Sequence, residues 1–282
     1  MNTKELYIFI LEKIKNYIPS KELKNTINII LEDIFNCNTV DIIKNNEIKL
    51  DITSIEKIIT DIVEKLKNYE PIQYIVGQCK FLNCKILLNK NVLIPRQETE
   101  EMVYNLLKTD LNNKQIIDIC SGSGCIGISI KKKYINANVT CIDIDKKAIE
   151  LAKKNSILNN VKINFINEDI FSEKILSIRN FDILISNPPY IPESYKNSLE
   201  KKIVLHEPHI ALFVKNENPL IFYERLKLII ENKMNTNGLF FIEIPDYFEK
   251  EIITLFNRGL LKKIRINKDL NNKSRWISGE KI

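Results

Sequence analysis

The sequence predicts an α/β fold in which a mostly parallel sheet with helices on both faces follows a small all-helical domain. Strand-like and helix-like segments alternate from residue 98 onward, which is typical of a parallel sheet. A glycine-rich turn joins one of these strands to a helix, whereas residues 1–70 show helical spacing of apolar residues throughout. A chain of 282 residues is long enough for two such domains.

The N-terminal domain is predicted over residues 1–70. Two series of apolar residues recur at helical spacing, the first after Pro19 and Ser20 and the second behind a capping box at residues 53–56. The series are Leu23, Ile27, Ile30, Leu31 and Ile34, and Ile55, Ile58, Ile59, Ile62 and Leu66. A helical bundle packed around these residues explains both series, so they do not by themselves indicate a partner surface.

Residues 71–97 lack helical periodicity and are predicted to form a β-hairpin linker. An apolar strand over residues 81–88 is followed by Asn89-Lys90-Asn91, which suits a turn, and then by a short strand over residues 92–94. The second domain then covers residues 98–282.

The second domain contains seven predicted strands. They cover residues 115–120, 138–143, 162–167, 181–186, 238–244, 260–267 and 274–280. In a sheet of this kind the ligand crevice lies beyond the carboxyl ends of the strands. The glycine turn, Asp143, Asp169 and Asn187 lie at the ends of four different strands. We therefore expect them to meet at one edge of the sheet.

A nucleotide-binding loop is predicted at Ser121-Gly122-Ser123-Gly124-Cys125-Ile126-Gly127. Glycines between a strand and a helix let a ligand approach the backbone, and the helix N-terminus offers free N–H groups. Asp143 ends the next strand, about 20 residues on, where an acid binds the hydroxyls of a ribose. The glycine spacing also occurs in nicotinamide dehydrogenases, but no residue downstream suits hydride transfer. A tight turn without a ligand is the remaining alternative.

The motif Asn187-Pro188-Pro189-Tyr190 follows the apolar strand over residues 181–186. Its two prolines end the strand and remove two backbone N–H donors, which leaves an amide side chain, carbonyl oxygens and an aromatic ring. This set accepts hydrogen bonds and packs on a flat group, so it suits holding a planar NH2 group while its nitrogen is alkylated. A strand-end cap at Asn187 and a core aromatic at Tyr190 are the structural alternatives. Together with the glycine loop, the motif favours a nucleoside donor of methyl groups.

The composition is typical of a soluble globular protein in a reducing compartment. Apolar and charged residues make up 44% and 28% of the chain, and no apolar run approaches the roughly 18 residues that span a bilayer. The N-terminus lacks the pattern of a signal peptide, and all six cysteines are interpreted as reduced thiols, so a cytoplasmic location is expected. His206 and His209 have no third ligand, and Cys79 and Cys84 lack zinc spacing, so no metal site is predicted.

Further segments, together with these motifs, resemble a known family. Residues 70–77, 94–100 and 206–212, in order with the glycine loop and the Asn-Pro-Pro-Tyr motif, resemble the PrmC/HemK family of protein-(glutamine-N5) methyltransferases. The resemblance covers nearly the whole chain. It implies a Rossmann-like methyltransferase domain with a reversed last strand, preceded by a small helical domain that binds the partner and by a β-hairpin linker.

The resemblance also implies the reaction and its residues. S-adenosylmethionine would methylate the glutamine of the Gly-Gly-Gln motif in class I peptide chain release factors. The residues implied at the cofactor are Cys120, Ser121, Gly122, Ser123 and Gly124 at its methionine end, Asp143 at the ribose, Asp169 and Ile170 at the adenine, and Asn187. The residues implied at the substrate glutamine are Asn187, Pro188, Pro189 and Tyr190, of which Asn187, Pro188 and Tyr190 are the catalytic set.

Three positions depart from the pattern of the family. Gln97 stands where proline is common, Pro245 replaces the glycine of a Glu-Ile-Gly motif, and Pro219 lies near a lost glycine. All three lie outside the glycine loop and the Asn-Pro-Pro-Tyr motif. They put loop geometry and substrate fit in question, but not the type of reaction.

Two other activities remain as alternatives. The Asn-Pro-Pro-Tyr motif also occurs in adenine-N6 methyltransferases acting on DNA or ribosomal RNA, and a non-catalytic module could keep the same fold. No target-recognition domain is evident, and residues 1–76 hold 10 lysines and 12 acidic residues, a net of −2 in a chain of net +6. The expected partner is therefore a release factor bound by a monomer, with no stable nucleic acid and no membrane.

Overall fold

The computed structural model describes residues 1–282, which divide into two compact units. The first unit contains Met1–Gln78 and Glu200–His206, and the second contains Cys79–Leu199 and Glu207–Ile282. None of the helices combines the length and the apolar character that a membrane span needs.

Helices and strands alternate through most of the chain. The helices are α1 (Thr3–Ile14), α2 (Ser20–Asp33), α3 (Thr39–Lys44), α4 (Ile52–Lys67), α5 (Ile72–Val76), α6 (Gln97–Leu106), α7 (Cys125–Lys133), α8 (Lys146–Leu158), α9 (Lys201–His206), α10 (Ile221–Lys233) and α11 (Glu249–Phe256). The strands are β1 (Gln78–Phe81), β2 (Cys84–Leu87), β3 (Gln115–Ile119), β4 (Asn138–Asp143), β5 (Asn164–Asn167), β6 (Phe181–Ser186), β7 (Ile191–Pro192), β8 (Phe213–Val214), β9 (Met234–Glu243), β10 (Leu261–Lys268) and β11 (Ser274–Lys281).

The first unit is a helical bundle around an aliphatic core. Leu6, Ile10, Ile30 and Ile59 are among its fully or almost fully buried side chains. The capping box predicted at residues 53–56 is wrong. Helix α4 begins earlier because the Asp51 carboxylate accepts the Ser54 N–H at 2.9 Å and so caps the helix.

Helix α9 belongs to the first unit although it lies far from it in the sequence. The Lys202 ammonium contacts the Glu22 carboxylate at 3.0 Å, and the His206 ring hydrogen-bonds the Asn68 carbonyl oxygen at 2.7 Å. Lys201 lies over the ring of Tyr69 at 5.0 Å. These contacts assign His206 a structural partner within the bundle.

The hairpin lies earlier in the chain than the sequence predicts. Strands β1 and β2 form a two-stranded sheet, and the turn between them consists of Leu82 and Asn83. The predicted turn at Asn89–Asn91 does form, with the Asn91 N–H donated to the Asn89 side chain at 2.9 Å, but no strand follows it. The prediction was wrong because Leu82, a residue rarely found with φ of +48°, takes the left-handed conformation that closes the real turn.

A seven-stranded sheet forms the centre of the second unit. Its order is β10-β11-β9-β6-β3-β4-β5. Strands β5, β4, β3, β6 and β9 pair in parallel, whereas β11 is antiparallel to both of its neighbours, β9 and β10. All seven predicted strands and the reversed last strand are therefore confirmed.

The order of the strands places a crevice beside β3. The chain passes from β3 to β4 and β5 on one side and then returns to form β6 on the other side. Ile119 of β3 is level with Ile142 of β4 and with Ser186 of β6. The segments that leave these three strands therefore begin at one level of the sheet, where the direction of the winding changes and ligands bind.

Gly127 allows α7 to lie close against β4. A Cβ atom at this position would lie 2.4 Å from the Cys141 sulfur and 3.1 Å from a Val139 methyl carbon. We expect Gly127→Ala to lower the free energy of unfolding by about 1–3 kcal/mol, measured by urea denaturation, because the core is overpacked. In a Cys141→Ala background the same change should cost less. Equal costs in both backgrounds would contradict this packing account.

Candidate active site

An open cavity lies at the carboxyl edge of the sheet in the second unit. It is bounded by the ends of β3, β4, β5 and β6, by the start of α6 and by α10. Its wall includes Cys120, Ser121, Gly122, Ser123, Asp143, Asp169, Ile170, Asn187 and Pro189. Nine of the twelve site residues predicted from the sequence therefore lie in one cavity wall. This agrees with the expectation that four strand ends meet at one edge of the sheet.

Three predicted residues do not line this cavity. Gly124 lies behind the turn as the N-cap of α7, with φ of +77°. Pro188 is buried, and the Tyr190 hydroxyl is directed at the Glu243 carboxylate, 3.2 Å away. Gly124 and Tyr190 therefore support the wall from behind, whereas the Pro188 carbonyl belongs to the peptide bond that precedes Pro189, which does line the cavity.

The glycine turn is fixed from both sides. The Gly124 N–H donates to the Ser121 carbonyl at 2.8 Å, which closes the turn ahead of α7. The Asn155 side-chain amide, on α8, donates to the Ser123 carbonyl at 3.0 Å. The same Asn155 side chain also accepts the Leu87 N–H at 2.7 Å, so one buried amide holds both β2 and the turn.

Asp143 connects the end of β4 to the glycine turn. One carboxylate oxygen accepts the Gly122 N–H at 2.7 Å, and the other accepts the Asp145 N–H at 2.9 Å. Burial is the main reason that the pKa of Asp143 lies above its ordinary value. Each oxygen keeps a further lone pair, so the carboxylate can also accept hydroxyl hydrogens from a ligand.

The far end of the cavity is an apolar slot beyond β5. The rings of Phe171 and Phe222 meet edge to face with centroids 5.1 Å apart, and Ile170 lies beside them. Asp169 accepts the Phe171 N–H at 2.9 Å, and Arg225 donates to the Ile170 carbonyl at 2.8 Å. A slot with apolar walls and a fixed carboxylate at its edge suits a flat heterocycle with amino groups.

The cavity fits a nucleoside sulfonium such as S-adenosylmethionine. The Ser121 hydroxyl is buried in the cavity wall and has no hydrogen-bond partner in the protein. At Gly122 a Cβ atom would meet nothing within 4 Å, so the turn leaves open space for a ligand. The same cavity wall therefore contains an apolar slot, the Asp143 carboxylate and an unpaired hydroxyl, which are groups suited to the adenine, ribose and amino acid parts of that molecule.

A hydrogen-bond chain lies behind the Asn-Pro-Pro-Tyr motif. The Asn187 side-chain amide donates to the Thr99 hydroxyl at 3.0 Å, and this hydroxyl donates to the Glu243 carboxylate at 2.5 Å. The second oxygen of Glu243 accepts the Tyr190 hydroxyl at 3.2 Å. Burial raises the pKa of Tyr190 well above its ordinary value, so this phenol remains a donor.

A second connection joins the segments over residues 94–100 and 206–212. The Arg96 guanidinium holds both oxygens of Glu207, at 2.6 and 2.7 Å, and the Glu207 side chain is almost fully buried. Arg96 and Thr99 both line the cavity. The sequence places these side chains only within segments that resemble the family. Their contacts could not be predicted, because the partners lie far apart in the chain. The residues are Arg96, Thr99, Glu207 and Glu243.

The comparisons with known proteins agree with this geometry. A family model described as the methyltransferase small domain matches residues 97–210. The release factor glutamine methyltransferase of Flavobacterium psychrophilum is 36% identical over 271 residues, 94% of either chain. The protein of the same name in Bacteroides thetaiotaomicron is 30% identical, covering 97% of this chain and 98% of its own.

The chain belongs to the release factor glutamine methyltransferase family. It is an S-adenosylmethionine-dependent methyltransferase. Among solved structures, a methyltransferase from Pyrococcus furiosus matches with a TM-score of 0.51 at 18% identity, over 71% of this chain and 89% of its own. That match supports the Rossmann-like fold of the second unit.

The departures at Gln97, Pro245 and Pro219 lie at or next to the starts of helical segments, and none of the three residues lines the cavity. Gln97 is the first residue of α6, and Pro219 lies two positions before the start of α10. Pro245 starts a short 3-10 turn that contains Tyr247, whose hydroxyl donates to the Tyr190 carbonyl at 3.3 Å. In this chain the segment after Glu243 therefore contributes a hydrogen bond to the Asn-Pro-Pro-Tyr motif.

Cys120 occupies a backbone conformation that favours glycine. Its φ is +61°, and burial raises the pKa of its thiol well above the ordinary value, so the thiol stays protonated. We expect Cys120→Gly to have a free energy of unfolding about 1 kcal/mol higher than Cys120→Ala, because only the alanine keeps a strained Cβ. Both changes remove the thiol, so chemical denaturation isolates the backbone effect. Equal free energies of unfolding for the two variants would contradict backbone strain at this position.

Proposed function

We propose that this enzyme transfers the methyl group of S-adenosylmethionine to the side-chain amide nitrogen of the glutamine in the Gly-Gly-Gln motif of class I peptide chain release factors. The main support is the position of Asn187, which extends from the end of β6 into the wall of the cofactor cavity with its amide held by Thr99. The names of its relatives supply the identity of the substrate.

The polar groups of the motif suit a substrate that presents two N–H hydrogens on the nitrogen to be methylated. In this proposal the Asn187 side-chain oxygen and the Pro188 carbonyl accept the two hydrogens of the glutamine amide. Neither Pro188 nor Pro189 has a backbone N–H, so no donor competes for the same position. Pro189, Ile210 and Ala211 line the same cavity, whereas Tyr190 lies behind its wall and holds the motif through its hydrogen bond to Glu243.

Alignment is the main contribution that these residues make to the rate. An amide nitrogen is a weak nucleophile, and S-adenosylmethionine supplies, when bound, a methyl group that is already activated by a positively charged sulfur. Two hydrogen-bond acceptors hold the amide nitrogen in line with the methyl group. Such alignment can lower the activation free energy by roughly 7–11 kcal/mol in favourable cases. Acceptors at the amide hydrogens also stabilise the positive charge that develops on nitrogen. The proton can leave after transfer, so no general base is needed at the motif.

Replacement of Asn187 tests this role. We expect Asn187→Ala to lower kcat by about 100- to 1,000-fold, because one acceptor at the transferring nitrogen is lost. Binding of S-adenosylmethionine, measured by calorimetry, should be largely retained. Asn232→Ala, an exposed change on α10, is the control and should behave as the unaltered enzyme. Undiminished turnover in Asn187→Ala would rule out this assignment.

The substrate is tested with a methyl-labelled cofactor in three reactions. The first contains a class I release factor, the second the same factor with its Gly-Gly-Gln glutamine changed to alanine, and the third DNA and ribosomal RNA. We expect label only in the first reaction. Label in the third reaction alone would favour adenine methylation instead, and equal label in the first two would place the methyl group elsewhere on the factor.

We further propose that the first unit binds the body of the release factor. Val40 and Ile43 lie one turn apart on α3, and both are more than half exposed. An apolar pair with this exposure is suited to contact with another protein surface.

A charge on α3 tests this proposal. Ile43 is 72% exposed, so Ile43→Glu should leave the fold intact while placing a charge on the proposed surface. We expect KM for the whole release factor to rise about fivefold or more, with little change for a short Gly-Gly-Gln peptide. Ile157→Glu, at a position on α8 that is 74% exposed, is the matched control. The same KM for both variants would contradict a role of α3.

We also propose that the enzyme acts as a monomer in the cytoplasm, without stably bound nucleic acid. The free thiols of all six cysteines support the location, and the slightly acidic first unit supports the absence of bound nucleic acid. Sedimentation of the purified enzyme with and without RNA is the direct test, and a dimer or a co-sedimenting RNA would contradict it.

A further inference from the structure

The catalytic motif depends on an amide whose orientation its own segment does not fix. An asparagine side chain has an oxygen acceptor at one corner and an NH2 donor at the other, and a half-turn exchanges them. Only one of the two orientations offers an acceptor to a substrate NH2 group. In this structure the Asn187 nitrogen is turned toward Thr99, and the oxygen takes the other corner.

The direction of the hydrogen bonds settles which orientation is stable. A carboxylate has no hydrogen to donate, so the single hydroxyl hydrogen of Thr99 must point at Glu243, 2.5 Å away. The Thr99 oxygen is then available only as an acceptor, and it accepts the Asn187 N–H at 3.0 Å. If the amide were reversed, two oxygens would face each other without a hydrogen between them.

We propose that Glu243, acting through Thr99, is a positioning residue that keeps the side-chain oxygen of Asn187 directed at the substrate amide. This inference rests on the proposed function and deepens it. Glu243 is only 3% exposed and ends β9, so its carboxylate is held in place by the sheet itself. Its backbone carbonyl accepts the hydroxyl of Tyr223, on α10, at 3.1 Å.

The electrostatic surroundings of Glu243 make its ionisation sensitive to pH near neutrality. Burial raises its pKa to about 7, while the hydroxyl hydrogen bonds from Thr99 and Tyr190 act in the opposite direction. Among charged neighbours, Glu98 on α6 raises the pKa and Arg275 on β11 lowers it.

The protonated form of Glu243 loses the directing effect. A protonated carboxyl group can donate to the Thr99 oxygen, which frees the Thr99 hydrogen to point at Asn187 instead. Asn187 can then turn its oxygen to Thr99 and its NH2 group to the substrate. The NH2 groups of Asn187 and of the substrate amide would then face each other, and no hydrogen bond forms between them. Because the ionised form predominates above the pKa, turnover should rise with pH through about 7 and then level off.

A pair of substitutions at Thr99 provides the first test. Thr99→Val keeps the shape but removes the hydroxyl, and we expect kcat to fall by about 100-fold with little change in cofactor binding. Thr99→Ser keeps the hydroxyl and should recover most of the turnover. Thr254→Val, on the exposed face of α11, is the matched control. Equal kcat values for the valine and serine variants would overturn the proposal.

The second test is the pH profile of Glu243→Gln. This side chain cannot ionise, so turnover should not change with pH between 6 and 8, whereas the turnover of the unaltered enzyme should rise near pH 7 as Glu243 ionises. A variant that keeps the rise would show that another group titrates, which contradicts the proposal. If Glu243→Gln does not fold, the Thr99 pair decides alone.

These results are separable from failure of the proposed function. If Asn187→Ala is inactive while Thr99→Val and Glu243→Gln keep normal kcat and pH profiles, the positioning role is wrong and the methyl transfer stands. If the unaltered enzyme does not methylate a release factor at all, the proposed function fails before either variant is measured.

Discussion

Parallel pairing of β3 with β4 and β6 is the constraint on which the rest of the site depends. Because Ile119 is level with both Ile142 and Ser186, the segments after these strands start together at one edge of the sheet. The glycine turn, Asp143 and Asn187 therefore meet without any of them having to be placed by a long loop. Each segment needs only the local chemistry that ends its strand, which is glycine, a carboxylate or a proline pair.

The side chains behind this edge hold the motif through hydrogen bonds from distant parts of the chain. Glu243 connects β9 to Thr99 on α6 and to Tyr190, and Arg96 connects the start of α6 to Glu207. In both pairs an acid is almost fully buried, and such a group is stable only when its oxygens accept hydrogen bonds or face a cation. Loss of one partner thus affects geometry at the cavity as well as stability.

The sequence was sufficient for the sheet and for the main-chain positions of the site. Buried parallel strands are nearly continuous apolar runs, so all seven could be located, and their ends identified the cavity. The contact of Thr99 with Glu243 spans 144 positions, and no periodic pattern records it. The hairpin was misplaced because Leu82 takes a turn conformation that asparagine usually takes. Helix α9 joins the first unit through one ion pair, one hydrogen bond and one cation–π contact, which likewise have no sequence signal.

The most direct test of the account is the position of the transferred methyl group. After reaction with a class I release factor, the modified factor would be digested and its peptides fragmented in a mass spectrometer. We expect one added methyl group, on the side-chain amide nitrogen of the Gly-Gly-Gln glutamine, because Asn187 and Pro188 offer hydrogen-bond acceptors for an NH2 group. A methyl group on any other residue, or on the peptide backbone, would contradict it.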